Sequence, residues 1–156
     1  MEETLLGIIP NTHTGLFGQK AFNLIITDKR LIAAALTSDM IKQAAKERSD
    51  ESKAQGDGVL KRMAKTAFVG VDLYKRYYQM PLETIVSENS ENFSLEPSMV
   101  KKISVKTGTY DQDNNRSTPN EIQIKSTLGK HVFSFTSIQP KEAHTLLSQT
   151  FGSVLK

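Results

Sequence analysis

The chain has 156 residues, 38% hydrophobic and 24% charged, with a net charge of +3 and no cysteine. That length suits one domain with its own core, and the lack of cysteine excludes disulfides, thiolate metal sites and thiol nucleophiles. No apolar run approaches the roughly 18 residues of a membrane-spanning helix, and Met1-Glu2-Glu3 does not open a secretory signal, so the cytoplasm is the expected compartment.

Thr4–Ile9 is a short apolar run ended by Pro10 and Asn11 and predicts a first strand. Turn formers and two glycines then predict a loop over Asn11–Lys20. Phe22–Leu36 follows as two apolar runs rich in β-formers around the polar pair Asp28-Lys29. It predicts a hairpin, strand Phe22–Thr27 and strand Arg30–Leu36, and the remaining chain reads as sheet built around it.

The character changes at Thr37. Thr37 or Ser38 can cap a helix, and Met40, Ile41, Ala44, Ala45 and Arg48 recur at helical spacing to about Lys53. Gly56-Asp57-Gly58 interrupts, and a second helix is predicted over Val59–Tyr78. Its apolar stripe is Leu60, Met63, Ala64, Ala67, Phe68, Val71, Tyr74 and Tyr78. Pro81 starts a third, short helix ending at Ser87. Residues 37–80 hold nine Lys and Arg against six Asp and Glu, the whole excess of positive charge. A field that attracts an anionic partner is therefore expected from this segment.

Phe93–Leu95 reads as a short strand. Lys101–Thr107 alternates, with Ile103 and Val105 on one side and Lys102, Ser104 and Lys106 on the other, as suits a sheet with one wet face. A polar loop over Gly108–Asn120 leads to strands Glu121–Thr127 and His131–Thr136, joined by a turn at Leu128-Gly129-Lys130; the three strands read as an antiparallel meander. A last helix begins at Pro140, and its stripe of Ala143, Leu146, Leu147, Thr150, Phe151 and Val154 requires a sheet to cover.

The run Leu24-Ile25-Ile26-Thr27-Asp28-Lys29-Arg30-Leu31-Ile32 resembles the hairpin of bacterial and archaeal pleckstrin-homology-like domains: a strand ending in Thr, a polar turn, then Arg and two apolar residues. The order of the later elements is similar too. The likeness covers roughly Thr4–Leu36 and Phe93–Lys156. It implies an α+β fold: a bent antiparallel sheet of about seven strands, a partly open barrel, capped by the C-terminal helix. Residues 38–87, approximately, then form a helical insertion after the Phe22–Leu36 hairpin, where family members have a short turn. The phosphoinositide-binding members use basic residues on the first two strands and their loop; the matching stretch here, Gly7–Thr27, offers only Lys20. The resemblance also implies a tendency to assemble into oligomers.

Ordinary catalytic equipment is missing from the pattern. His13, His131 and His144 have no partner at metal-ligand spacing; His131 shares a strand face with Phe133 and Phe135, which suggests partial burial. Asp111, Asp113 and Asn115 alternate like the start of a calcium loop, but Arg116 stands where the loop needs Gly and Ile122 where it needs Glu. Gly15 and Gly18 do not make a phosphate-cradling loop. The expectation is therefore no catalytic residue, no metal and no cofactor. Binding chemistry is expected at the basic helix, through Lys61, Arg62, Lys65, Lys75 and Arg76, with Tyr74, Tyr77 and Tyr78 beside them. The expected function is a non-catalytic binding or assembly module acting through a protein partner or self-association, with an anionic membrane surface as a further partner. The alternative is nucleic-acid binding by helix 59–78.

Overall fold

A computed structural model describes residues 2–15, 19–54, 56, 58 and 72–156. Nine strands are found among them: β1 (Leu5–Thr14), β2 (Lys20–Thr27), β3 (Leu31–Ala35), β4 (Phe93–Leu95), β5 (Val100–Lys106), β6 (Tyr110–Asp111), β7 (Arg116–Ser117), β8 (Asn120–Ser126) and β9 (Gly129–Phe135). Among the described residues the helices are α1 (Ser38–Ala54), α2 (Leu82–Ser87) and α3 (Pro140–Phe151), with a 3-10 segment at Leu73–Tyr78 and a single 3-10 turn at Pro97–Met99. Seven strands form one antiparallel sheet in the order β4-β3-β2-β1-β9-β8-β5, and β6 and β7 pair as a separate small hairpin.

The connection between the sheet's two edges forces it to curl. Laid flat, seven strands would hold β4 and β5 about 29 Å apart. The chain from Leu95 to Val100 spans at most about 17 Å. The sheet therefore rolls up until its edges approach, and the rolled interior holds the main core. Phe22 on β2 meets Phe93 on β4 and Phe133 on β9, each at 6.0 Å between ring centres and edge to face. Ile9, Leu24, Ile26, Leu31, Ile103, Ile122, Ile124 and Phe135 complete the filling.

β1 makes the bend by a defect. Its pairing with β2 slips between Ile9 and Thr12, and Asn11 there has φ 55°. Pro10 is tolerated because a bulge asks no ladder bond of it. Side chains stitch the irregularity: Asn23 Oδ1 accepts from the Asn11 amide at 2.9 Å, Thr12 donates to the Phe22 carbonyl at 2.8 Å, and Ser137 donates to the Pro10 carbonyl at 2.7 Å. Beyond the bulge, His13 pairs with Ser134 of β9. The expected first strand at Thr4–Ile9 is thus too short, and Asn11–Thr14 is strand rather than loop. Pro-Asn marks a bulge here instead of a turn.

The predicted hairpin is present. Thr27 organises its turn: the Thr27 amide donates to the Arg30 carbonyl at 2.9 Å, and Thr27 Oγ1 accepts from the Lys29 and Arg30 amides at 3.1 and 2.9 Å. β2 and β3 are buried on both faces, which explains their unbroken apolar runs. Phe22, Leu24, Ile26, Leu31 and Ala33 face the interior, while Ile25, Ile32 and Ala34 face outward into a second core with Ile8, Tyr77 and Ile85. The inserted 3-10 segment and α2 thus pack on the chain's own sheet. Asn92 fastens them there, accepting from the Ala35 amide at 2.7 Å and donating to the Ile85 carbonyl at 2.7 Å.

α3 closes the other side. Ala143, Leu147 and Phe151 are buried, and each large side chain so buried stabilises by about 1.5–3 kcal/mol. The helix approaches β1 so closely that a Cβ at Gly7 would lie 2.9 Å from Leu146 Cδ1. Thr150 donates to the Thr27 carbonyl, tying the last helix to the hairpin turn. Past the helix, Leu155 pairs in parallel with Ile103 and covers part of the β5 edge.

Candidate functional site

The expected basic helix falls only partly within the described residues. Lys61, Arg62 and Lys65 lie outside the described residues, as does residues 59–71 of the helix itself. Over residues 73–78 the backbone is 3-10, not α-helical. The tighter winding of three residues per turn aligns Tyr74 with Tyr77. Tyr77 is consequently the buried tyrosine and Tyr78 the exposed one, the reverse of the α-helical stripe.

Lys75 and Arg76, the described members of the expected contact surface, are both engaged. Lys75 Nζ lies 3.5 Å from Asp72, and Arg76 pairs with Glu88. Tyr77 donates from its hydroxyl to the same Glu88 carboxylate at 3.2 Å, and burial pushes the phenol's pKa upward against the opposing effect of Arg76. Arg76 opens onto a groove of about 600 Å³ between α1 and the 3-10 segment, whose lining includes Asp39, Glu47 and Glu88. Three carboxylates there oppose the attraction of an anion.

A cluster of positive charge without carboxylate partners lies on the second half of the sheet. Strands β5, β8 and β9 alternate as the sequence suggested: Ile103, Ile124, Ile122 and Phe133 point inward, and the other face is wet. Register brings residues far apart in the chain into one line. Lys102 sits opposite Lys125, and Lys125 opposite Lys130. Directly opposed residues share a face, so three lysines form a row across three strands. The β5 ladder slips between Val100 and Lys102, and this bulge leaves Lys101 exposed beside Lys102. All four lysines are exposed, and none forms an ion pair among the described residues. A shallow groove of about 540 Å³ lined by His13, Glu121, Lys130, Val132 and Ser134 continues the face toward β1.

The β8–β9 turn ends this row. Gly129 adopts φ 108°, a left-handed conformation that favours glycine. Leu128 stands at the tip with 53% of its surface exposed. The tip is held from two sides: the Thr127 amide donates to the Met99 carbonyl at 2.9 Å, and the Leu128 amide to Ser126 Oγ at 3.1 Å.

The remaining candidates do not converge. His13 is on β1, His144 is exposed on α3, and His131 stacks on Phe93 at 4.7 Å between ring centres. Burial lowers the His131 pKa, and its Nδ1 is enclosed without a partner among the described residues. Asp111 spends its carboxylate on its own turn, accepting from the Asp113 amide at 3.0 Å and Asn114 Nδ2 at 2.7 Å; these bonds hold its pKa below the ordinary value. Among the described residues, no three His, Asp or Glu side chains gather as a metal site would require. No described helix is long and apolar enough to cross a membrane.

Fold and face define an α+β protein with a mostly antiparallel sheet and a C-terminal helix. No family model matches the chain, and no curated protein matches it. A solved structure, the C-terminal domain of an unknown protein from Leishmania infantum, is similar at 17% identity over 94% of this chain and 84% of that one, with a TM-score of 0.43.

Proposed function

We propose that the chain is a non-catalytic recognition module of pleckstrin-homology-like type, in the cytoplasm, that binds an acidic partner surface through the wet face of β5, β8 and β9. The fold reading draws support from the Thr-centred hairpin turn, the seven-strand order with its edges joined, and the helix over the sheet. The functional reading is carried by the in-register row Lys102–Lys125–Lys130. Like charges directly opposed across strands are destabilising, and they are relieved when an anion lies over them. Arg30, Lys75 and Arg76, by contrast, each have a carboxylate.

Self-association by a two-fold axis through this face would lay the lysines of one copy on those of the other. An acidic protein or another polyanionic surface fits better. Retention on immobilised heparin tests the reading. Lys102→Glu/Lys125→Glu should elute at much lower salt than wild type. Lys42→Glu/Lys46→Glu, with the same change in net charge on exposed positions of α1, should elute near it. Equal losses in the two double variants would reduce the effect to net charge and remove the proposed face.

A further inference from the structure

We infer that the lysine row and Leu128 together seat the chain on an anionic phospholipid bilayer. This deepens the proposed function and rests on it. Neighbouring strands lie about 4.8 Å apart, so Lys102, Lys125 and Lys130 spread their ammonium groups over a broad sheet face, with Lys101 alongside at the bulge. Each such charge near an acidic leaflet strengthens binding about five-fold.

The leucine favours a bilayer over a nucleic acid. Leu128 projects from a two-residue turn whose backbone is pinned to Met99 and Ser126, so its exposure belongs to an ordered tip. Lys125 and Lys130 flank it in sequence and pair with each other at the base of the hairpin. An apolar tip rimmed by cations matches the boundary between headgroup phosphates and acyl chains. A nucleic acid would leave Leu128 without a role. It would also find no aromatic ring to stack a base among the outward residues of the row. The row itself lies on β5, β8 and β9 rather than on β1 and β2, where Lys20 is met by Glu91 at 4.0 Å.

Co-sedimentation with large vesicles of phosphatidylcholine, with and without phosphatidylserine, tests this. The chain should sediment only with phosphatidylserine present, and less as salt rises. Lys102→Glu/Lys125→Glu should lower vesicle affinity at least about 25-fold. Leu128→Ser should weaken vesicle binding several-fold while leaving heparin retention unchanged. All these positions are exposed, and thermal melts check that the variants stay folded. Heparin retention without vesicle binding would overturn the membrane inference and leave the anion-recognition reading standing. Loss of both would overturn the two together. Vesicle binding indifferent to Leu128→Ser would also overturn the inference, since the apolar tip would then contribute nothing at the bilayer.

Discussion

Arg30 grips Glu3 at two points: Nε lies 2.9 Å from Oε1 and a terminal guanidinium nitrogen 3.0 Å from Oε2. Thr27 donates to the same carboxylate at 2.6 Å. The turn that closes β2 and β3 thereby holds the start of β1, and through the Thr27 carbonyl it also holds α3. Three parts of the chain meet at this one hairpin turn.

Arg30→Ala should cost about 1–2 kcal/mol in urea unfolding, since the pair is partly shielded and its bonds are charge-assisted. Arg30→Lys should recover little of that, because an ammonium cannot make the two-point contact. Burial alone would raise the Glu3 pKa, but hydrogen bonds from Arg30 and Thr27 outweigh it and the value falls below the ordinary 4.5. A lowered carboxylate stabilises the fold above its unfolded pKa. The contribution should fade as pH drops below 4.5 through the folded value, and Arg30→Ala should flatten that acid limb.

His131 should give a second pH signature, at higher pH. Burial lowers its pKa from 6.5, so the unfolded chain takes up the proton first. Stability should be full above 6.5 and decline as pH falls from there toward the folded pKa. His131→Phe keeps a ring against Phe93 and removes the enclosed, unpartnered nitrogen. Chemical denaturation of that variant at a series of pH values should lack the decline.

The insert should behave as a second core. Tyr77→Ala should cost about 3–5 kcal/mol, and Tyr78→Ala should stay within about 0.5 kcal/mol of wild type. Asn92→Ala should cost about 2–4 kcal/mol, because it strands the Ala35 amide and the Ile85 carbonyl together. Equal effects at Tyr77 and Tyr78 in thermal melts would contradict the 3-10 packing.

These contrasts indicate what the sequence could convey. The unbroken apolar runs of Phe22–Leu36 encode a strand pair covered on both faces, and the alternation in β5, β8 and β9 encodes a wet side. Both signals are local, and both describe the molecule. The stripe of α3 likewise announces a helix that needs a sheet. Pro10 and Asn11 misled because turn formers also build bulges, and only the partner strand separates the two. Tyr77 misled because a stripe drawn at 3.6 residues per turn fails where the winding tightens to three.

The lysine row was hidden for a different reason. Charge summed along the chain assigns the whole excess to residues 37–80 and leaves the remainder neutral. Yet Lys102, Lys125 and Lys130 belong to that neutral remainder. Pairing register sorts its charges in space, drawing three lysines into line, and register is not written in any one strand. A segment sum could not find the cluster, and at Lys75 and Arg76 it counted cations that carboxylates already hold.

The most direct measurement is a titration of the isotope-labelled chain with a soluble polyanion, followed by amide chemical shifts. The account predicts that the perturbed amides map to Lys101, Lys102, Lys125, Leu128 and Lys130 and their strand neighbours, with β2, β3 and α2 silent. Perturbations centred on residues 38–54 and 72–88 instead, or none at all, would contradict it.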